Sequence, residues 1–184
     1  YNTTAKHYDI TRYAYDIDII ISYMISLNRQ DLQILDIGCG TGNFLTAIKN
    51  KISQNKKLNN LVKEYHGIEP SAGMMNIAKH KNSSILFEQG IGENLPYQSN
   101  KFDIVLCTQV LHHLVDIDSK QNKYNRVKKS LDEMSRVIKT DSIIIINNTS
   151  KHQLHSYWFY SLFPIAKKEM GKYFIQNNII EQHF

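Results

Sequence analysis

Three of the chain's eight glycines, Gly38, Gly40 and Gly42, crowd into the stretch "LDIGCGTGNF", directly behind a short apolar run. Glycine adopts left-handed backbone freely and leaves room for a ligand against the main chain. A nicotinamide-binding fingerprint needs glycines at 38, 40 and 43, but position 43 is Asn. No Gly-Lys-Ser/Thr follows, so phosphate-loop chemistry fails as well. Further on, "TQVLHHL" places Gln109, His112 and His113 behind another apolar run, with Thr108 beside them. An imidazole titrates near neutral pH, so either histidine can take a proton from an oxygen or nitrogen nucleophile. The competing role for each is structural, an imidazole bonded to backbone that fixes its loop.

These residues need elements to hold them. "LQILDI" (32–37) reads as a buried strand and "NFLTAIKNKI" (43–52) as a helix carrying Phe44, Ala47, Ile48 and Ile52 on one face. A solvated connection over 53–63 leads to a second strand, 64–70, ended by Pro70. Ser71 then caps a helix with apolar Met74, Met75 and Ala78. Strands follow at 83–89, 102–109 and 141–148, with an amphipathic helix over 121–138 bearing Val127, Leu131, Met134 and Ile138. Continuous apolar strands alternating with helices predict an α/β fold, a doubly wound, Rossmann-like, mostly parallel sheet with helices on both faces. Ile17, Ile20, Ile21 and Met24 mark an N-terminal helical cap. One domain over 1–184 is expected: the cap at 1–30, a ligand-binding core at 31–148, and a further segment at 149–184.

Composition narrows the functional classes. The formal charge of +5 comes from scattered lysines without a like-charge run, so a nucleic-acid arm is not indicated. Cys39 and Cys107 lack metal-ligand spacing, so neither a metal site nor a disulfide framework is expected, and a reduced cytoplasm fits. The longest apolar run, "IIII" at 143–146, is far too short to span a bilayer, and "YNTTAKHYDI" is no signal peptide. Because the chain begins at Tyr1 rather than Met, further N-terminal sequence is expected to precede it.

"LDIGCGTGNF" resembles the first motif of the class I S-adenosylmethionine-dependent methyltransferases, especially the group acting on small molecules. "GIEPSAGMM" is similar to their second-strand motif, "FDIVLCTQVLHHL" to the fourth-strand motif, and "EMSRVIKTDSIIIIN" to the following helix and fifth strand. "YNTTAKHYDITR" matches an N-terminal pattern of many members. The resemblance implies S-adenosylmethionine as cofactor, S-adenosylhomocysteine as product and a small-molecule acceptor. It implies that Glu69 accepts the ribose hydroxyls, and that Gly38 and Gly40 present backbone to the methionine moiety. Asp36 would help hold the ammonium or cap local N–H groups. Cys39 and Gly42 complete the cofactor loop, and Gln109 joins it from the fourth strand. Pro70 and Met74 would flank the adenine, with Met74 equally suited to helix core. Tyr8 and Arg12 would close over the carboxylate end, an arginine being a bidentate partner for it, or else form a surface pair.

Departures from the pattern matter too. Where the family often reads "G-D-A-E-x-L-P-F", this chain has "GIGENLPY", so Ile91 replaces an acidic adenine reader while Gly92 and Glu93 keep the frame. "KTDS" (139–142) replaces the usual "K-P-G-G" turn. No Asn/Asp-Pro-Pro-Tyr/Phe follows the fourth strand, which argues against amines of nucleic-acid bases. Tyr157, Trp158, Phe159, Tyr160 and Phe163 suit either a lid over an apolar or aromatic acceptor or a core or dimer-contact helix. The family's last two strands find no counterpart after residue 170, where "KYFIQNNIIEQHF" reads as helical or one short strand. The open alternatives are a degenerate module that binds S-adenosylmethionine without transfer, and a nucleotide-dependent oxidoreductase on a similar fold.

Overall fold

The computed structural model describes residues 13–119, 121–149, 153, 162, 164–175 and 177–184. Five strands, β1 (Leu32–Ile37), β2 (Val62–Glu69), β3 (Leu86–Gln89), β4 (Phe102–Thr108) and β5 (Ile138–Asn147), form one sheet in the order β3-β2-β1-β4-β5. Every neighbouring pair is parallel. Parallel strands need crossovers: α2 (Asn43–Ser53) joins β1 to β2, α3 (Ala72–Lys81) joins β2 to β3 and α4 (Asn125–Val137) joins β4 to β5, while α1 (Ile17–Ser26) precedes β1. Among the described residues two further helices, α5 (Pro164–Met170) and α6 (Asn177–Glu181), follow β5.

The central strands are buried on both faces because a core lies on each side. On one side α1, α2 and α3 contribute Ile20, Met24, Leu45, Ile48, Met75 and Ala78. On the other, Val127, Leu131, Met134 and Val137 of α4 pack against Leu35, Phe102 and Val105. The consecutive isoleucines of β5 serve both, Ile143 and Ile145 joining the first core and Ile144 and Ile146 the second.

Some boundaries differ from the sequence reading, each for a local reason. Ile138, expected on the helical stripe, is already extended and pairs with Phe102, so Val137 takes the inward position. Lys139 to Ser142, expected as a turn, lie inside β5, where the register slips between Phe102 and Ile104 and Asp141 takes φ +54°. The amphipathic helix starts at Asn125 rather than 121, and β3 starts at Leu86 rather than 83. Asn82 holds the Ser84 N–H and hydroxyl, which keeps that stretch from extending. On α2 the inward residues are Leu45, Ile48 and Ile52, while Phe44 and Ala47 are half-buried.

Among the described residues no strand follows β5. Ile175, Ile179 and Ile180 instead join the α4-side core, and His183 Nε2 lies 3.4 Å from Asp132 Oδ1 on α4. Tyr157, Trp158, Phe159, Tyr160 and Phe163 lie outside the described residues. Among the described residues no helix is long and apolar enough to cross a membrane, and no three-residue group of His, Cys, Asp or Glu is placed to hold a metal ion.

At the amino-terminal edge of the sheet, buried Asp103 gathers three partners. Lys139 Nζ donates to it at 2.7 Å, the Gln33 N–H at 2.9 Å, and Arg29 Nη1 stands at 3.4 Å. Arg29 also reaches the Asp141 carbonyl at 2.6 Å, which ties the approach to β1 to the β5 irregularity. Asp103→Ala is expected to lower stability by about 1–3 kcal/mol, because the Gln33 N–H and two half-buried cations lose a charged acceptor. A urea titration of the two proteins measures that difference.

Candidate active site

The carboxyl ends of all five strands meet on one rim, the place where open α/β sheets bind ligands. At the end of β1 the chain turns through Gly38, Gly40 and Gly42, all left-handed at φ +68°, +56° and +75°. The turn is sewn to β2: the Gly38 and Cys39 N–H groups both donate to the Ile68 carbonyl, at 2.8 and 3.1 Å. Glu69 completes the join, its Oε2 accepting the Gly40 N–H at 3.1 Å and its Oε1 the Ser71 N–H at 2.9 Å. Ser71 in turn caps α3 by accepting the Met74 N–H.

Two of the glycines are required by the protein's own packing. A Cβ on Gly38 would stand 2.4 Å from the Val110 side chain, and one on Gly42 would stand 2.7 Å from the Phe87 ring. Gly92 is similarly confined, since a Cβ there would stand 2.8 Å from the buried Ser130 hydroxyl of α4.

Two cavities share this loop. The first, about 420 Å³, is bounded by Gly38 and Gly40, by Glu69, Pro70 and Met74 from the β2 end, and by Ile91, Gly92 and Glu93 after β3. Gln109, His113 and Arg126 close its far side. The second, about 320 Å³, runs along the other face of the loop past Asp36, Gly38, Cys39 and Gly40 to Tyr13, Tyr15 and Phe44. Thr108 and Gln109 border both cavities. Each volume is that of a small-ligand site.

The electrostatics are set by burial. Asp36 is 2 % exposed, and desolvation, with the nearby Glu69 carboxylate adding to it, pushes its carboxyl up to about 8. Burial also raises Glu69, against the lowering effect of its two N–H donors. No cationic side chain among the described residues pairs with either carboxylate. Cys39 and Cys107 are free and buried, and desolvation holds both thiols well above their ordinary value, so neither is an activated nucleophile.

The sequence-predicted residues separate in space. Asp36, Gly38, Cys39, Gly40, Glu69, Pro70, Met74, Gly92, Glu93 and Gln109 line one or both cavities, whereas Gly42 lines neither. Met74 is at once 3 % exposed core and cavity wall. Glu93 carries an ion pair, its Oε1 accepting from Arg126 at 2.7 Å. His113 faces the first cavity, while His112 lines neither and sits 3.3 Å from Asn148 Oδ1 beside the Phe174 ring. Tyr8 and Arg12 lie outside the described residues.

Contributors that escaped the sequence reading include Tyr13, Tyr15, Arg126, Asn147 and Thr149. The last two follow the buried β5 run, so the strand-end rule that found Gln109 reaches them too. Arg126 had no such signal, since its partner Glu93 is 33 positions away.

An open parallel sheet wound on both faces, with its cleft at the carboxyl rim, defines a Rossmann-like ligand-binding domain. The sequence profile of the family described as "Methyltransferase domain" matches residues 35–146, and the chain belongs to that family. It is 29% identical over 126 residues to the ubiquinone/menaquinone biosynthesis C-methyltransferase UbiE of Campylobacter jejuni, a match covering 68% of this chain and 48% of that protein. The chain thus spans about half the length of the curated relatives it matches. Among solved structures, a putative methyltransferase from an antibiotic biosynthesis pathway of Anabaena variabilis superposes with TM-score 0.68 at 24% identity, over 91% of this chain and 57% of that one. An S-adenosylmethionine-dependent methyltransferase from Clostridium acetobutylicum gives TM-score 0.62 at 24% identity, over 84% and 59%.

The buried Asp36 makes stability depend on pH. Its folded-state value of about 8 lies above that of the unfolded chain, so the folded protein holds a proton that the unfolded chain has released. Stability is therefore expected to fall as pH rises from the ordinary carboxylate range to about 8, with a slope of up to about 1.4 kcal/mol per pH unit. Asp36→Asn removes most of that slope, and thermal melting of both proteins between acidic and mildly alkaline pH is the measurement.

Proposed function

We propose that the chain is the catalytic domain of an enzyme that moves the methyl group of S-adenosylmethionine to a small-molecule acceptor. The observation that carries this reading is the left-handed glycine loop held by Glu69 beside a buried Asp36, two acidic side chains with no cationic partner among the described residues. A ligand with an ammonium, a sulfonium and vicinal hydroxyls fits that arrangement. Residues 31–148 act as its binding core, and a cytoplasmic setting agrees with two free, buried cysteines.

Glu69 spends one lone pair of each oxygen on Gly40 and Ser71 and has others left for ribose hydroxyls. Asp36 faces the second cavity beside the loop and is the group to meet the ammonium. Pro70, Met74 and Ile91 give the first cavity apolar walls for the adenine. Main chain at Ile91 and Gly92, with the Glu93 carboxylate, stands in for the missing acidic residue at position 91. The arginine and tyrosine at positions 12 and 8 are assigned to the cofactor's carboxylate end.

S-adenosylmethionine supplies a methyl group already activated as a sulfonium, so the chain's own task is positioning and exclusion of water. The acceptor enters by the second cavity, whose aromatic rim suits an apolar or aromatic molecule. No histidine lines that cavity among the described residues. Positioning is the main part of this reading, with His113 on the wall of the first cavity and His112 beside Asn148 in the loop after β4.

Calorimetric titration with S-adenosylmethionine and S-adenosylhomocysteine tests the reading. Both are expected to bind with dissociation constants on the order of micromolar, and Glu69→Gln is expected to cost about 1–3 kcal/mol of that affinity. A folded, full-length protein that binds neither ligand rejects the assignment. Binding without turnover over a broad acceptor panel would point instead to a module that holds the cofactor only.

A further inference from the structure

The outer half of the second cavity carries chemistry that cofactor binding does not use. Its apolar wall is aromatic: the Tyr15 and Phe44 rings meet edge to face at 5.4 Å, with Tyr13 at the mouth. Beside that wall, side chains from three separate segments form one polar network. Gln109 Nε2 donates to the Tyr15 hydroxyl at 3.4 Å and to Asn147 Oδ1 at 3.3 Å. The Tyr15 hydroxyl donates to the same Asn147 oxygen at 3.3 Å, and the Thr149 hydroxyl to Gln109 Oε1 at 3.3 Å. All four bonds lie at the long end of the hydrogen-bond range. Donors and acceptors so loosely matched are improved by an oxygen arriving among them.

The backbone agrees. Gln109 is a non-glycine residue at φ +56°, held there by its N–H donating to the Asn147 carbonyl at 2.6 Å. That conformation sets its amide on the border of both cavities, and strained backbone of this kind gathers where a ligand is handled. Charge narrows the ligand further. Among the described residues Asp36, at the inner end, is the one carboxyl on this lining, and no Lys or Arg is among it. A phosphate or carboxylate acceptor would find no cationic partner among the described residues there, whereas a neutral hydroxyl needs none.

We propose that this outer half is an acceptor subsite for an aromatic ring carrying a hydroxyl, with the ring against Tyr15 and Phe44 and the oxygen on the Gln109–Thr149 network. The proposal rests on the methyl-transfer reading, in that the cofactor fills the loop side of the same cleft. Ring contact supplies affinity, and the amide and hydroxyl groups orient the acceptor, because an oxygen at the right edge can join their long hydrogen bonds and a bare ring cannot.

Binding to the S-adenosylhomocysteine-loaded protein tests this with three probes: 2-naphthol, naphthalene and decahydro-2-naphthol. Naphthol is expected to bind about five- to tenfold more tightly than either of the others, which lack the hydroxyl or the aromatic ring. Tyr15→Phe and Thr149→Val are each expected to bring naphthol toward the naphthalene value while S-adenosylhomocysteine affinity stays within about twofold. Equal binding of the three probes overturns the proposal, as does naphthol binding that neither variant alters. Should a variant fail to fold, the comparison of probes on the unaltered protein still decides. Failure of S-adenosylhomocysteine to bind would instead reject the methyl-transfer reading, whereas naphthol failing on a loaded protein removes this subsite alone.

Discussion

The cleft depends on one carboxylate. Glu69 ends β2, yet its two oxygens hold the Gly40 N–H of the loop after β1 and the Ser71 N–H at the start of α3. Three elements are fixed relative to one another by a single side chain. A carboxylate accepting two backbone N–H groups is a charge-assisted contact, about twice as strong as a neutral hydrogen bond. The Ile68 carbonyl reinforces it by taking the Gly38 and Cys39 N–H groups. The loop is therefore built rigidly rather than left to close on a ligand.

That rigidity explains the glycines better than ligand approach alone. Val110 and Phe87 occupy the space where Cβ atoms on Gly38 and Gly42 would lie, so the loop and its neighbours are packed to near contact. Every L residue with a side chain would meet both a steric clash and a left-handed backbone. Gly40, between them, presents its N–H to Glu69 and lines both cavities. Packing and binding thus share one short stretch of chain.

Charge is distributed to match. The ion pairs at the sheet's amino-terminal edge, centred on Asp103, are complete, with Lys139 and Arg29 both engaged. At the opposite rim, Asp36 and Glu69 are buried with no cationic partner among the described residues, and desolvation raises both carboxyls. Among the described residues, then, the charges at one end of the sheet are paired and the acidic groups at the other are not. Glu93, by contrast, spends one oxygen on Arg126 and keeps a second at the cavity wall.

Much of the fold was legible because parallel-sheet strands are buried on both faces and read as apolar runs. "LQILDI" and "FDIVLC" marked β1 and β4, and the Ser71 cap marked the start of α3. Composition and spacing likewise determined that a glycine loop stands at a strand end, with Glu69 closing the next strand. Ile138 was misplaced because a helix stripe and a strand run share apolar residues at their junction, and only pairing with Phe102 decides between them. The grouping of Tyr15, Gln109, Asn147 and Thr149, and the pairing of Glu93 with Arg126, were decided by tertiary structure alone. Local sequence encodes which residues face a core, but which distant side chains meet at a rim depends on how β1, β4 and β5 are brought side by side.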